Sequence, residues 1–498
     1  MTNRTVALGS ALVALAMASA SAAPQQASGA PQPQTTQMVL KGKAPVSSEI
    51  LKVKLPKPQE ADLPNGLHLI VLEDHRLPQI TFQIIIPGAG GYFDPADKIG
   101  LASYTASLMR EGTRTRTSPQ ISEALETMAA SLTVASGLST TSASVSGASL
   151  SEDFPKLMDL AADVLLNPAF SPEEWNRFKT RTKASLIQQR TNPGFLATET
   201  FNRVVFGGTH PASRVSPTAE NLDAITPDAL AEFHKTRYVP DHAAIAFAGD
   251  ISLADARTLV ASKLGAWKNA GSASISVTDP PPPPPAKVFL ISRPNSVQTT
   301  LYVGTQSMTR TDPDYPALTV VNRVLGGTMG RLFRHLREEK GYTYGIGSGF
   351  NATFYRGSWT SSTSVRTEVT EPALNDLLAE IAELRDKPVP EKELADSKRA
   401  IVGSFALALE NPQQVLSYYI ENWQFGLPAD YWDTYPARVM AVTAEQAQAA
   451  AKKYWNPELL QIVAVGDATK IKDILAKKGT LEVYDADGKK IASDAASR

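Results

Sequence analysis

The chain repeats itself, and the repeat limits what it can fold into. Asn192-Pro193 returns as Asn411-Pro412, 219 residues later (192 to 411). Further along, four positions return in order at an offset of 217: Thr226, Pro240, Gly249 and Asp250 reappear as Thr443, Pro457, Gly466 and Asp467. Ordered matches at a nearly constant spacing indicate a tandem duplication, so each copy must supply the same elements in the same order.

Six consecutive prolines, Pro280–Pro285, separate the two copies. A run of this kind favours a stiff, extended spacer and is excluded from helix interiors and central strands. We therefore predict a first half over residues 51–279, a second half over 286–480 and a tail over 481–498. Strands and helices are mixed within each half without a regular alternation, which is typical of an α+β fold.

The first residues have the order of a secretory signal. A single arginine precedes the apolar run Val6–Met17, and small residues follow it, with cleavage expected after Ala20 or Ala22. A buried N-terminal helix is the alternative, and the apolar run is too short to span a bilayer. We predict a signal peptide over residues 1–22, a flexible lead-in over 23–50 and export to the periplasm.

Composition excludes several classes of site. The chain has 49 Lys+Arg against 50 Asp+Glu, so its net charge of -1 gives no electrostatic basis for binding nucleic acid. It has no cysteine, which excludes disulfides, thiolate zinc sites and a cysteine nucleophile. No later apolar run is long enough for a membrane span. His335 and Glu338 have helical spacing for a ligand pair, but two residues do not make a closed metal site.

Three motif clusters, in order, carry a resemblance to a known family. They are Gly100–Thr113, which reads G-L-A-S-Y-T-A-S-L-M-R-E-G-T, then Phe206–Asp250, and then Arg323–Tyr344. Together they resemble the pitrilysin/insulinase zinc metallopeptidases, to which mitochondrial processing peptidase belongs. The resemblance covers roughly residues 51–478. It implies two metallohydrolase-like halves, each a doubled α+β unit with antiparallel sheets flanked by helices, that close as a clamshell around a peptide-holding chamber.

The same resemblance implies that the zinc site has been lost. Active members carry H-x-x-E-H, in which two histidines bind zinc and the glutamate is the general base. Here Ser103 and Ser107 stand at the histidine positions, and Ala106 stands at the glutamate position. A further glutamate ligand follows the second histidine by about 77 residues in the family, and that position is Ala184. We expect no catalytic residue and no metal in this chain.

The second half matches the family's substrate-holding pair. Active two-half members use an arginine and a tyrosine, seven residues apart, to hold the substrate backbone and polarise its carbonyl. Arg337 and Tyr344 have this spacing, and both side chains donate hydrogen bonds that carbonyl oxygens accept. Arg337 capping its helix or pairing with Glu338 or Glu339 is the alternative. Gly326-Gly327 resembles the family's glycine-rich loop and equally fits a helix C-cap.

The first half has lost its zinc ligands, whereas the second half retains the substrate-holding pair. This contrast indicates that the chain works together with a second subunit that carries the zinc. Some bacterial members of the family are heterodimers, in which one chain carries zinc and its partner supplies the Arg/Tyr pair. We predict a periplasmic subunit that is inactive by itself, completes the chamber of a zinc-bearing homologue and helps to bind peptide. Zinc is expected only in that partner.

Two other functions remain open. The first is a structural or peptide-binding scaffold with no enzymatic partner, like the core subunits of the respiratory cytochrome bc complex, which resemble this family. The second is an active peptidase with relocated ligands, which the scarcity of histidine opposes: the chain has only 6. His210 and His234 match common family positions and are expected to be structural.

Overall fold

The computed structural model describes residues 53–268 and 275–491, which lie within one compact unit. The predicted signal peptide and lead-in fall outside these described residues. None of the described helices combines the length and the apolar character needed to cross a bilayer.

The first half contains six strands and eight helices in the described part of the chain. They are β1 Gln59–Asp62, β2 His68–Glu73, β3 Gln79–Pro87, α1 Leu101–Met109, α2 Ser118–Thr127, β4 Ser131–Ser136, β5 Ser142–Leu150, α3 Phe154–Leu166, α4 Pro172–Gln189, α5 Pro193–Phe206, α6 Ala219–Ala224, α7 Pro227–Arg237, β6 Ala244–Gly249 and α8 Leu253–Leu264. Short 3-10 turns connect some of them.

The second half has the same layout. Its elements are β7 Val288–Ser292, β8 Gln298–Gln306, α9 Tyr315–Gly326, a π-helix Phe333–Glu339, β9 Thr343–Phe350, β10 Ser358–Arg366, α10 Thr370–Asp386, α11 Glu391–Ala408, α12 Pro412–Phe425, α13 Tyr431–Ala441, α14 Ala444–Tyr454, β11 Gln461–Gly466, α15 Ala468–Ala476 and β12 Leu481–Tyr484. The predicted α+β class is confirmed.

Each half is built on one six-stranded sheet, where the resemblance implied a doubled unit. The strand orders are β1-β2-β6-β3-β5-β4 and β12-β7-β11-β8-β10-β9, so the two sheets match at every position except the first edge strand. Most pairs are antiparallel, as expected, but β6 pairs parallel with β2, and β11 pairs parallel with β7. Each of these pairs joins strands that are far apart in the sequence, with several helices between them, which gives the chain the length that parallel pairing requires.

The last strand extends the second half beyond its predicted end. β12 begins at Leu481, the first residue of the predicted tail, and pairs parallel with β7 through Leu481 and Val288. It takes the edge position that β1 holds in the first sheet, where β1 pairs antiparallel with β2. The edge strands are therefore where the two halves differ most in topology.

The matched sequence motifs form matched helices. α5 and α12 both span 14 residues and start at a proline. Asn192 caps α5 by accepting a hydrogen bond from the Gly194 N–H at 2.8 Å, and Asn411 caps α12 by accepting one from the Gln413 N–H at 2.9 Å. The structure therefore confirms the predicted duplication at the level of individual caps.

Each of these two helices packs against the sheet of the other half. α5, from the first half, packs on β8 and β11 of the second sheet, and α12 packs on β6 of the first sheet. Phe201 of α5 lies in one apolar cluster with Phe289 and Val463, and Ile420 of α12 lies in another with Ala246. Both sheets are consequently buried on two faces, one by their own helices and one by a helix of the other half.

The proline run forms neither helix nor strand, and side chains of the second half contact it. Gln306 Nε2 donates to the Pro281 carbonyl at 2.6 Å, and Gln461 Nε2 donates to the Pro284 carbonyl at 3.0 Å. Arg356 donates to the Pro280 carbonyl at 2.7 Å. Because a polyproline II segment leaves its carbonyls free, side chains can hold it in place along its length.

Candidate functional site

Helix α1 shows what occupies the emptied zinc motif. Ser103 and Ser107 are partly exposed, and the Ser107 hydroxyl donates to the Ser103 carbonyl at 2.9 Å. Ala106, at the position of the family's general base, is only 1% exposed and belongs to the core. At the positions of the second histidine and the general base, the motif therefore has a hydroxyl bonded to its own helix and a methyl group in the core, and neither is an activated nucleophile.

A buried carboxylate that the sequence analysis did not single out holds the start of α1. Asp94 is 4% exposed and accepts hydrogen bonds from the backbone N–H groups of Gly100 at 2.8 Å and Ala102 at 2.9 Å. Burial raises the pKa of Asp94 to about 6, against the opposing effect of these two N–H groups and of Arg214. The emptied helix thus keeps a firm N-terminal anchor.

Aromatic rings, rather than a metal, join α1 to α4. The Tyr104 ring lies 6.1 Å from that of Trp175 and 5.3 Å from that of Phe178. Burial raises the pKa of the Tyr104 phenol to about 12. Ala184, at the expected position of the third ligand, is exposed on α4. The ring contacts therefore hold the two helices together, and the side chain at the expected position of the third metal ligand is an exposed methyl group.

The surface of α4 carries positive charge. Lys179 and Lys183 both approach Asp223 at 2.8 Å, and their hydrogen bonds lower the pKa of that carboxyl. Arg181 lies 3.9 Å from Glu111. Within residues 53–268 and 275–491, no three His, Asp or Glu side chains form a group that could hold a metal ion. The residues at the family's zinc position do not fit zinc.

Three of the histidines form hydrogen bonds or ion pairs outside the emptied zinc motif. His210 is buried and both its ring nitrogens contact backbone, at Thr278 O and at the Ala212 N–H. His234 Nε2 lies 2.7 Å from the Leu165 carbonyl. His335 pairs with Glu380 and approaches Glu339 at 3.9 Å, so its described partners do not include Glu338.

The structure brings Arg337 and Tyr344 together. Arg337 lies on the π-helix and Tyr344 lies near the start of β9, after a turn at Gly341, whose φ is +62°. The guanidinium carbon of Arg337 is 5.2 Å from the centre of the Tyr344 ring and 4.5 Å from that of Phe333. Tyr344 is 91% exposed. Two hydrogen-bond donors are thus held side by side on the surface.

The π-helix is fixed to the helices around it. The Lys340 N–H donates to the His335 carbonyl at 3.0 Å, the five-residue step that defines a π-helix. Arg331, just before it, donates to both carboxylate oxygens of Glu393 on α11, at 3.0 and 3.1 Å from Nε. Leu336 is fully buried. Arg337 therefore extends from a rigid support, which favours a defined donor position.

The glycine segment fits both alternatives that the sequence left open. Gly326 ends α9 and Gly327 is its C-cap, with the Gly327 N–H donating to the Arg323 carbonyl at 3.1 Å. A Cβ on Gly326 would lie 2.1 Å from Ser348 Oγ, so only glycine allows α9 to approach β9 this closely. The residues that follow border a surface groove of about 660 Å³, which Arg331, Arg334 and Glu393 also line.

No described contact links the emptied motif to the Arg337–Tyr344 pair. Across the described residues, no hydrogen bond, ion pair or ring contact joins α1 or α4 to the π-helix or β9. The arrangement offers donors that can hold a peptide carbonyl, and the described residues beside them include no group of side chains that could hold a metal ion.

Comparison with known proteins identifies the family. A family model described as "Insulinase (Peptidase family M16)" matches residues 69–214, and one described as "Peptidase M16 inactive domain" matches residues 224–401. Together they span well over half of the chain. The chain belongs to peptidase family M16. It is an inactive M16 homologue, which agrees with the absence of an H-x-x-E-H motif from its sequence.

Curated M16 relatives are similar over most of their length. An uncharacterised zinc protease of Streptomyces coelicolor is 23% identical over 78% of this chain and 85% of its own length. A non-peptidase homologue of Helicobacter pylori is also 23% identical, over 87% of this chain and 97% of its own length. The relatives thus include both a protein named as a peptidase and one named as a non-peptidase.

Solved M16 structures share the fold. A peptidase M16 inactive domain from Pseudomonas fluorescens is 28% identical and superposes with a TM-score of 0.76, covering 82% of this chain and 98% of that one. A protease from Helicobacter pylori is 14% identical with the same TM-score, over 83% of this chain and 100% of that one. The architecture described above is therefore that of the family.

Proposed function

We propose that this M16 chain is a non-catalytic subunit of a periplasmic zinc peptidase. It binds a zinc-bearing homologue, completes the peptide-holding chamber and supplies Arg337 and Tyr344 to the bound peptide. The observation that carries the proposal is the contrast between the two halves: every ligand position is emptied, while the Arg337–Tyr344 pair is assembled.

The geometry of the pair supports a role in binding. Stacking on Phe333 and Tyr344 holds the Arg337 guanidinium in one plane, and its described ion-pair partner is Glu338, at 3.4 Å from Nε. The rest of the guanidinium fork is free to donate to backbone carbonyls of a peptide. Such preorganised donors lose little entropy when a peptide binds.

The exposure of Tyr344 supports a partner or ligand at the same place. A tyrosine that is 91% exposed leaves most of its apolar ring in water, and tyrosine and arginine are enriched where binding energy concentrates in interfaces. In the proposed complex, a peptide held between the two chains covers the ring. The catalytic metal is placed in the partner, because the residues of this chain do not fit it.

Co-expression with a zinc-bearing M16 homologue from the same genome tests the proposal. The complex is expected to cleave unfolded peptides, and Arg337→Ala in this chain should lower its kcat/KM by about 100-fold, as loss of one transition-state donor does. Tyr344→Phe should act in the same direction. Arg334→Ala is the matched control, because Arg334 lies one turn earlier on the same helix with a half-exposed side chain.

Three results would count against this proposal. Stoichiometric zinc and peptidase activity in the purified chain alone would show that it is a complete enzyme. A complex whose activity is the same with Arg337→Ala and with Arg334→Ala would show that the chain acts as a scaffold only. Recovery of the processed chain from the cytoplasm, rather than from the periplasmic fraction, would contradict the proposed location.

A further inference from the structure

The two helices that cross between the halves end at matched positions. α5 ends at Phe206 and α12 ends at Phe425, and a glycine follows each. The strands β5 and β10 also match, since each spans 9 residues beside the edge strand of its sheet, and Ser139 and Tyr355 stand three residues before them. The duplication thus creates two corners: the α5 corner, where Phe206 meets Tyr355, and the α12 corner, where Phe425 and Ser139 line one cavity.

The α5 corner is filled by aromatic rings. Phe206 and Tyr355 are 2% and 4% exposed, and their ring centres lie 6.4 Å apart. The Tyr92 ring stacks on that of Tyr355 at 5.5 Å, and the Tyr355 hydroxyl donates to the Ser139 carbonyl at 3.0 Å. The last phenylalanine of α5 is therefore covered.

A segment of the chain itself lies over these rings. Val277 packs against the same apolar cluster, and the Thr278 N–H donates to the Tyr92 hydroxyl at 3.0 Å. Gln306 Nε2 donates to the Pro281 carbonyl at 2.6 Å, and residues 277–281 form neither helix nor strand. The α5 corner therefore shows how this architecture holds such a segment: an apolar side chain lies on the aromatic cluster, and polar side chains bind the backbone.

The α12 corner lacks the ring that fills the α5 corner. At the position matched to Tyr355 the first half has Ser139, and a cavity of about 370 Å³ lies there, within the usual size range of ligand sites. On another side of the cavity, the Phe354 ring lies 4.6 Å from that of Phe425, and Phe354 is 42% exposed. An exposed aromatic pair beside an open cavity favours an apolar occupant.

Every described residue that lines this cavity is uncharged, although 20% of the chain is charged. Gln83 and Ile85 are two residues apart on β3, so both side chains lie on the face of the sheet that lines the cavity. Asn351 Oδ1 accepts a hydrogen bond from the Ser358 N–H, which identifies Nδ2 as the free donor. Within the described part of the chain, neither Asn351 Nδ2 nor the Gln83 amide has a hydrogen-bond partner, and neither residue is buried.

We propose that the α12 corner binds a peptide segment without helical structure through one uncharged, apolar residue of that segment. The side chain of this residue lies on Phe354 and Phe425, in the space that Ser139 leaves open. The amides of Gln83 and Asn351 donate to backbone carbonyls of the segment, in the way seen in the α5 corner. A charged side chain is selected against, because it would lose water and meet no opposite charge.

The test titrates the full chain alone into short fluorescent peptides of serine, glycine and alanine, followed by anisotropy. Peptides with a central phenylalanine or leucine are expected to bind, and those with lysine or glutamate there should bind at least about tenfold more weakly. Gln83→Glu places a carboxylate in the cavity and should strengthen binding of the lysine peptide. Since neither a zinc-bearing partner nor Arg337 and Tyr344 take part, the result does not depend on the proposed function.

Two variants and a matched control locate the bound peptide. Ser139→Tyr supplies the ring that the α5 corner has, so it should block binding without lowering the melting temperature. Phe354→Ala should weaken binding of the phenylalanine peptide by about tenfold, as loss of an aromatic anchor does. Leu150→Ala is the control, because Leu150 is 46% exposed at the far end of β5 and does not line the cavity, and it should leave the affinity unchanged.

Several outcomes would overturn the inference. One is that neither the phenylalanine nor the leucine peptide binds, and another is that the lysine peptide binds the unaltered chain equally well. Binding that survives both Ser139→Tyr and Phe354→Ala would place the peptide elsewhere. Dimerisation of the chain that Ser139→Tyr abolishes, measured by analytical ultracentrifugation, would show that a second copy covers the corner instead.

Discussion

At the scale of single residues, Asp94 and Asp163 show that burial alone does not determine whether the pKa of a carboxyl group rises or falls. Both side chains are almost fully buried. Burial raises the pKa of Asp94 to about 6, and its two backbone N–H donors do not offset it. Burial also acts on Asp163, but hydrogen bonds from Thr113, Thr115 and Arg116 outweigh it and lower the pKa of that group. The balance between the desolvation of the carboxyl and its hydrogen bonds decides the direction of the pKa shift.

This contrast predicts opposite pH dependences of stability. The folded pKa of Asp94 lies above its unfolded value of 3.8, so the stability it contributes is present below pH 3.8 and is lost as the pH rises through about 6. The advantage of the wild type over Asp94→Asn in free energy of unfolding should therefore shrink by about 3 kcal/mol between about pH 4 and pH 6. Urea denaturation at a series of pH values measures it.

Asp163→Asn serves as the opposite-sign control. Its folded pKa lies below 3.8, so the wild-type advantage at this position is present above that pH and is lost as the pH falls below it. At Asp163, the difference in free energy of unfolding between the wild type and the Asn variant should grow with rising pH. The same direction at Asp94 would contradict the raised pKa of that group.

At the scale of elements, the emptied zinc helix has become a packing helix. Ala106 is part of the core of the first half, and Tyr104 fills the space between α1 and α4. Helical periodicity in the sequence predicts helices over residues 172–190, 227–237 and 391–409, and these match α4, α7 and α11 to within one residue at each end. The same periodicity predicts a helix over residues 118–131, whereas α2 ends at Thr127 and Ala129 takes a φ of +46° before β4.

Because α1 packs in the core, we expect that placing a glutamate at the position of the lost general base destabilises the fold. Ala106→Glu places a carboxyl at a position that is 1% exposed, and it should lower the free energy of unfolding by about 3 kcal/mol. Ser103→Glu, on the partly exposed face of the same helix, should cost about 1 kcal/mol or less. Urea denaturation followed by circular dichroism compares the two. Equal losses would contradict the packing role.

The π-helix was not predicted from the sequence. Its signal is weak, since a π-helix differs from an α-helix only by one residue per hydrogen-bonded step and has no distinct pattern of apolar residues. The spacing of Arg337 and Tyr344 identified the pair, but the turn at Gly341 and the stacking on Phe333 that align the two side chains depend on tertiary structure.

At the scale of the whole molecule, the exchange of α5 and α12 joins the halves. Each helix covers the second face of the other half's sheet, so neither sheet is fully covered without its neighbour. A linker of six prolines by itself would leave the halves independent, since it is only a spacer. Because each half packs on a helix of the other, we expect the two halves to unfold as one cooperative unit.

Truncations in the exchanged helices should therefore destabilise the entire protein. Phe201→Ala and Ile420→Ala are each expected to lower the free energy of unfolding by about 2 to 5 kcal/mol, the range for large core truncations. Unfolding should remain a single transition, which fluorescence of Trp175 in the first half and of Trp359 in the second can follow. Leu407→Ala, at a residue 70% exposed, should change stability by less than about 0.5 kcal/mol. Two separate transitions would contradict the exchange.

The sequence by itself determined the duplication, the membership of an M16-like family and the loss of the zinc ligands. These conclusions depend only on which residues stand at which positions, at Ser103, Ala106 and Ser107 above all. Only the tertiary structure decided that Arg337 meets Tyr344, that Ala184 is exposed and that α5 and α12 each pack on the sheet of the other half. Such facts are set by packing between residues distant in the chain, which local patterns do not specify.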